Sequence, residues 1–181
     1  REAGEHLAGF GHRRILLLGD RSPASNSRDR EAGFTEACEA AGLLGGMRVM
    51  RTAGCRMSAG ESKALAERLR TSEPPTAIVA AGYYFALDVY ALCAKTGVSI
   101  PGDVSLIGVD DPPSAAHLSP PLTTFCQPLE TLGRRGVEML LDRIRGVDDG
   151  PRSVTLAAAL RRRGSTAAMG GTTCSVAATM M

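Results

Sequence analysis

The chain has 181 residues, 44% of them hydrophobic and 22% charged, which suits one soluble globular domain with a real core or a little more. Lys+Arg 21 against Asp+Glu 19 leaves a net charge of +2, which by itself predicts neither a nucleic-acid nor a membrane surface. Aromatics make only 4% and Trp is absent, so stacking platforms for single-stranded nucleic acid are not expected. No run reaches the ~20 apolar residues of a membrane helix.

In chain order, residues 2–10 read as a helix with Ala3, Leu7 and Phe10 on one face. Ile15 to Leu18 is a buried strand, and 19–27 is a polar loop of turn formers. A helix over 28–41 ends at Gly42. After a short strand at 47–51, a helix over 58–70 opens with Ser58 and Glu61 spaced as a capping box. Pro74-Pro75 precedes a strand at 76–80, and a helix over 85–96 stops at Gly97. The strand at 104–109 ends in Asp110-Asp111-Pro112-Pro113, and an extended piece at 121–125 leads back to Gln127. The helix over 129–145 places Leu132, Val137, Leu140, Leu141 and Ile144 on a core stripe. A last strand at 153–160 precedes Arg161-Arg162-Arg163, read as a solvated strand end. The alternation of strands and helices predicts an α/β fold with a parallel sheet.

The stretch 104–127 organises the rest. A buried strand that ends in acid and then proline puts side chains at the carboxyl edge of a sheet, where ligands bind in open α/β folds. Asp111 is expected to cap the turn that follows. The five cysteines, Cys38, Cys55, Cys93, Cys126 and Cys174, are scattered without C-x-x-C spacing. That argues against a disulfide framework and a zinc site and favours a reducing cytoplasm. His12 and His117 lie in turns without metal-ligand spacing, so neither metal nor cofactor is expected. No G-x-S-x-G elbow, Walker motif or G-x-G-x-x-G is present, which disfavours an enzyme.

Six segments in register resemble the effector-binding core of the lactose-repressor-like (LacI/GalR) regulators. They are H-L-A-G-F-G-H-R-R-I at 6–15, R-E-A-G-F at 30–34, P-P-T-A-I-V-A-A at 74–81, I-P-G-D-V-S-L-I-G-V-D-D at 100–111, L-S-P-P-L-T-T-F-C-Q-P-L at 118–129 and R-R-R-G-S-T at 161–166. The resemblance implies a periplasmic-binding-protein-like type I fold, with a complete C-terminal lobe and part of the N-terminal lobe. It implies a sensor domain over 1–167, followed by a disordered tail at 168–181. Its ligand would be a small polar effector, a sugar or nucleoside, held between lobes in a cytoplasmic homodimer without a membrane partner. Operator DNA would be read only by a helix-turn-helix ahead of Arg1. A periplasmic sugar-binding transport receptor of the same fold is the alternative.

The resemblance also implies site residues. Arg30, in R-x-x-G-F at a helix N-terminal turn, would grip hydroxyls with its planar fork of donors. Asp110 would accept from hydroxyls, and Gln127 would both donate and accept. Where the family reads A-N-D, this chain reads Ala81-Gly82-Tyr83-Tyr84. Gly82 and Tyr83 therefore join the candidate contacts in place of a lost amide, with Tyr83 or Tyr84 available for stacking. Cys55, just before a helix start, completes the set, although an inert thiol is its plainer reading. Because part of the first lobe would lie outside the chain, the helices at 2–10 and 129–145 are expected to show apolar faces.

Overall fold

The structure, a computed structural model, describes residues 1–147, 150 and 152–170. Six strands form one sheet: Ile15–Asp20 (β1), Met47–Thr52 (β2), Ala77–Ala80 (β3), Ser105–Val109 (β4), Thr123–Cys126 (β5) and Ala159–Arg161 (β6). Their spatial order is β2-β1-β3-β4-β5-β6. The first five run parallel, and β6 pairs antiparallel with β5. Five α-helices accompany them among the described residues: Glu2–Gly9 (α1) ahead of β1, then Ser25–Ala40 (α2), Ala59–Arg68 (α3), Tyr83–Thr96 (α4) and Leu129–Ile144 (α5) as connections.

The apolar run of β1 is buried because it feeds a core on each face. Ile15 and Leu17 pack with Ala77, Val79 and Ile107 beneath α1 and α2, where Leu7, Phe34 and Cys38 meet them. Leu16 and Leu18 pack with Ile78, Ala80 and Leu106 beneath α3 and α4, where Leu65, Phe85 and Val89 meet them. Side chains alternate faces along a strand, so a strand covered on both sides reads as a continuous hydrophobic run. The capping box forms: Ser58 Oγ accepts the Glu61 N–H, and the Glu61 carboxylate accepts the Ser58 N–H. Gly97 closes α4 with φ +76°, a conformation that disfavours a Cβ. Gly46 must be glycine for another reason, since a Cβ there would stand 2.0 Å from the Arg13 carbonyl oxygen.

Several sequence expectations change. The stripe on α5 is not core. Leu132, Val137, Leu140, Leu141 and Ile144 are 41% to 71% exposed, and no residue of α5 is buried. Periodicity reports that a helix is amphipathic but not which element covers it; the other described elements leave that face open, which is the exposed face expected of the helix at 129–145. The expected apolar face of α1 is absent, because Ala3 and Leu7 are buried in the α2-side core. The strand expected at 153–160 shortens to Ala159–Arg161, and α2 begins at Ser25, so Arg30 sits in its second turn.

Past β6 the chain returns along the amino edge of the sheet. Leu106 N–H donates to the Ser165 carbonyl (2.7 Å). Ser165 Oγ donates to the Leu106 carbonyl (2.6 Å) and accepts the Thr123 N–H (2.8 Å). The buried His12 imidazole donates from Nε2 to the Ala167 carbonyl (3.0 Å), with its Nδ1 3.0 Å from Thr76 Oγ1. Met169 N–H donates to the Phe10 carbonyl (2.8 Å), so the chain is hydrogen-bonded as far as Met169. Residues 171–181 of the expected tail, with Cys174, lie outside the described residues.

Candidate functional site

The carboxyl ends of β1, β3, β4 and β5 share one edge. β1 and β3 are neighbours, and the chain leaves them toward opposite sides of the sheet, which makes a topological switch point. A concavity of about 20 Å³ opens there, lined by Gly19, Asp20, Ser27, Ala81 and Phe85 among others.

Just past β4, Asp110 adopts φ +73°, the left-handed region. Asp is among the few side chains that tolerate this conformation, because its short polar group bonds locally. Its carbonyl accepts from Thr124 Oγ1 on β5 (2.8 Å), and its Oδ1 accepts from Gln127 Nε2 (2.5 Å). Asp110 and Gln127 are thus brought into direct contact, so Gln127 serves a carboxylate rather than loop backbone. From α2, on the other flank, Arg30 Nη1 donates to the Ala81 carbonyl just past β3 (2.8 Å). A carboxylate, an amide and a guanidinium therefore stand along one sheet edge. Together they supply acceptors and donors of the kind hydroxyl groups bind.

The expected Gly82 and Tyr83 fall at the start of α4, Gly82 as its N-cap in extended conformation. Tyr83 Oη lies 2.7 Å from Ser114 Oγ, which belongs to the 3₁₀ turn Pro113–His117. Tyr83 therefore bridges the loops after β3 and β4. Tyr84 is 56% exposed, with its ring centroid 6.2 Å from that of Tyr83. Arg56 lies over the Tyr84 ring, 5.7 Å from its centroid. Asp88 fixes Arg56 by bonds of 2.8 and 2.5 Å to Nε and Nη2 and accepts the Met57 N–H with its other oxygen (2.8 Å). Cys55 is an exposed free thiol next to Arg56. Arg56, Asp88 and Ser114 escaped sequence reading. The only available signal was that loops following parallel strands line a site, which marks 53–57 and 110–117 as loops without choosing residues.

Asp111 does not cap a turn. Its side chain is 2% exposed and accepts from Arg163 Nη1 (2.7 Å) and Nη2 (3.0 Å), with Arg161 Nη1 at 3.0 Å. Arg163 also donates to the Leu122 carbonyl (2.7 Å). The bond to Asp111 raises the Arg163 pKa further above its usual value. The basic run is therefore a half-buried latch at Arg163 and solvated only in part. The latch ties the loop after β4 to the returning β6, next to Asp110. Among the described residues, no group of three or more His, Cys, Asp or Glu is placed to hold a metal ion. No described helix is long and apolar enough to cross a membrane.

An open parallel sheet carrying polar side chains on its carboxyl edge, with one amphipathic helix left uncovered, defines an α/β domain built like one lobe of a two-lobed binding protein. The model of the periplasmic binding protein-like domain matches residues 5–166. The HTH-type transcriptional repressor PurR of Escherichia coli O1:K1 / APEC is 32% identical over 165 residues, covering 91% of this chain and 48% of the repressor. The repressor CytR of Escherichia coli (strain K12) is 30% identical, covering 93% and 49%. A LacI family regulator from Enterococcus faecium, solved with bound ribose, superposes with TM-score 0.80 at 29% identity, covering 93% of this chain and 62% of that one. The chain belongs to the periplasmic binding protein-like family, as an effector-binding domain of the LacI/GalR type. It spans about half the length of the curated relatives it matches.

Proposed function

We propose that this chain is the sensing half of a LacI-type transcriptional regulator. Its carboxyl edge would hold a small polyhydroxylated effector against a second lobe outside this chain, with residues 1–167 as the sensor unit. Asp110, Gln127 and Arg30 would bind the effector's hydroxyls, and Gly82 would let it approach the chain closely. The observation that carries this reading is the left-handed Asp110 with Gln127 bonded to its carboxylate at the carboxyl edge. The relatives support it: PurR and CytR are repressors, and the Enterococcus faecium regulator holds ribose. Occupancy of the cleft would set the affinity of an upstream helix-turn-helix for its operator, in a cytoplasmic homodimer. A solved relative is a dimeric Lac repressor.

The test is calorimetric titration of the full-length protein with monosaccharides, including ribose, and with glycosides and nucleosides. At least one should bind saturably, and Asp110→Asn should weaken it about tenfold or more, the worth of a hydrogen bond to a charged group. Failure of the whole panel, or an unchanged affinity in Asp110→Asn, refutes the reading.

A further inference from the structure

We propose that the candidate site carries an aryl subsite built by Tyr83 and Tyr84, and that its effector is a sugar bearing a planar aromatic or heteroaromatic group. This inference rests on the effector-sensing reading above and specifies its ligand class.

An exposed tyrosine alone would mean little, since folded surfaces are largely apolar. Here two phenol rings neighbour each other at the start of α4, tilted by 54°, each tied down by a different neighbour. The Tyr83 hydroxyl is fastened to Ser114 at 2.7 Å, which stretches its ring across the gap between two carboxyl-edge loops. Tyr84 lies under the Arg56 guanidinium, and Asp88 fixes that guanidinium from α4 itself. An unbroken series of groups therefore runs from the β2–α3 loop to the turn after β4: Asp88, Arg56, Tyr84, Tyr83 and Ser114. It lies on the α3/α4 side of the edge, whereas Arg30 reaches in from the α2 side.

The two flanks are chemically unlike. Arg30, Asp110 and Gln127 offer charged and amide groups suited to hydroxyls. The opposite flank offers π faces, one of them on a ring still 56% exposed, and aromatic faces take planar rings irrespective of their hydrogen-bonding edges. Because the series is fastened at both ends before any ligand arrives, little side-chain freedom remains to be lost on binding. A bare monosaccharide would leave this flank in water. A sugar with an aryl substituent would use both flanks.

The experiment uses the full-length protein and matched pairs of ligands. The pairs are methyl ribofuranoside with adenosine, methyl glucoside with 4-nitrophenyl glucoside, and methyl galactoside with 4-nitrophenyl galactoside, measured by calorimetry. For the sugar that binds, the aryl member should bind about tenfold more tightly, the order expected of one stacked ring. Tyr84→Ala should bring the pair to within about twofold while leaving the methyl glycoside unchanged. Tyr84→Leu, which keeps bulk without a π face, should do the same, and Tyr84 is exposed enough that neither change removes core packing. Equal affinities within a binding pair, or an aryl preference that survives both variants, overturns the aryl subsite and leaves the sugar-sensing reading standing. Binding by neither member of any pair overturns the subsite, and if the wider monosaccharide and nucleoside panel fails as well, the sensing reading falls with it.

Discussion

Replacing Arg163 by Met should destabilise the protein far more than replacing its near neighbour Arg161. The Asp111 side chain is 2% exposed and is held by three guanidinium contacts, two of them from Arg163. Arg163 is itself only 18% exposed and satisfies the Leu122 carbonyl as well. Removing it strands a buried carboxylate on one partner, Arg161, whose side chain is 59% exposed. Breaking a buried pair from one side costs about 3–5 kcal/mol. The remaining Arg161 contact reduces this to about 2–3 kcal/mol. Arg161→Met leaves the bidentate pair intact and should cost about 0.5 kcal/mol, as for an exposed ion pair. At roughly 2–4 °C of Tm per kcal/mol for a domain of this size, the shifts are about 4–12 °C against 1–2 °C. Urea unfolding with matched slopes checks the same difference. The double variant Asp111→Asn/Arg163→Met should recover part of the loss, because no unpaired buried charge remains. Equal costs for Arg161→Met and Arg163→Met would refute the latch.

The isolated 181-residue chain should self-associate through the exposed stripe of α5. Leu140→Lys with Ile144→Lys should shift sedimentation toward monomer, and the monomer should lose no internal packing, since neither side chain is buried. Ser58→Ala removes the acceptor for the Glu61 N–H and should cost about 1 kcal/mol, read as faster hydrogen exchange at the start of α3. Burial lowers the pKa of both His6 and His12 from the ordinary 6.5. The unfolded chain therefore binds protons first as pH falls below about 6.5, and stability should be lost in that direction. A urea midpoint at pH 5.5 equal to that at pH 7.5 would refute this.

Much of the fold was legible in the sequence because its signals are local. Ile15-Leu16-Leu17-Leu18 reads as a strand covered on both faces whatever the neighbours are, and Ser58 with Glu61 caps a helix through bonds spanning three residues. Gly97 ends α4 because glycine readily takes the left-handed conformation that closes the last turn. The family likeness of R-E-A-G-F and G-V-D-D was likewise readable in order along the chain, and with it the choice of Arg30 and Asp110.

Tertiary structure decided what depends on which groups meet. The periodicity of α5 was right and its stripe is exposed, as expected for a helix whose covering lobe lies outside the chain, because amphipathicity is a property of one helix and burial needs a second surface. Asp111 and Arg163 stand far apart in sequence, so no spacing rule links them, yet the return of β6 beside β5 forces the carboxylate and the guanidinium together. Gln127 could have served loop backbone until the register of β4 with β5 brought it to the Asp110 carboxylate. Arg56 lay in a loop with no motif, and only the packing of α3 beside α4 sets it over Tyr84 and against Asp88. Hydrophobic pattern and caps act over a few residues, so a chain displays them openly. Ion pairs, ring contacts and the sharing of an edge arise only when the sheet order fixes distances between segments that the sequence keeps apart.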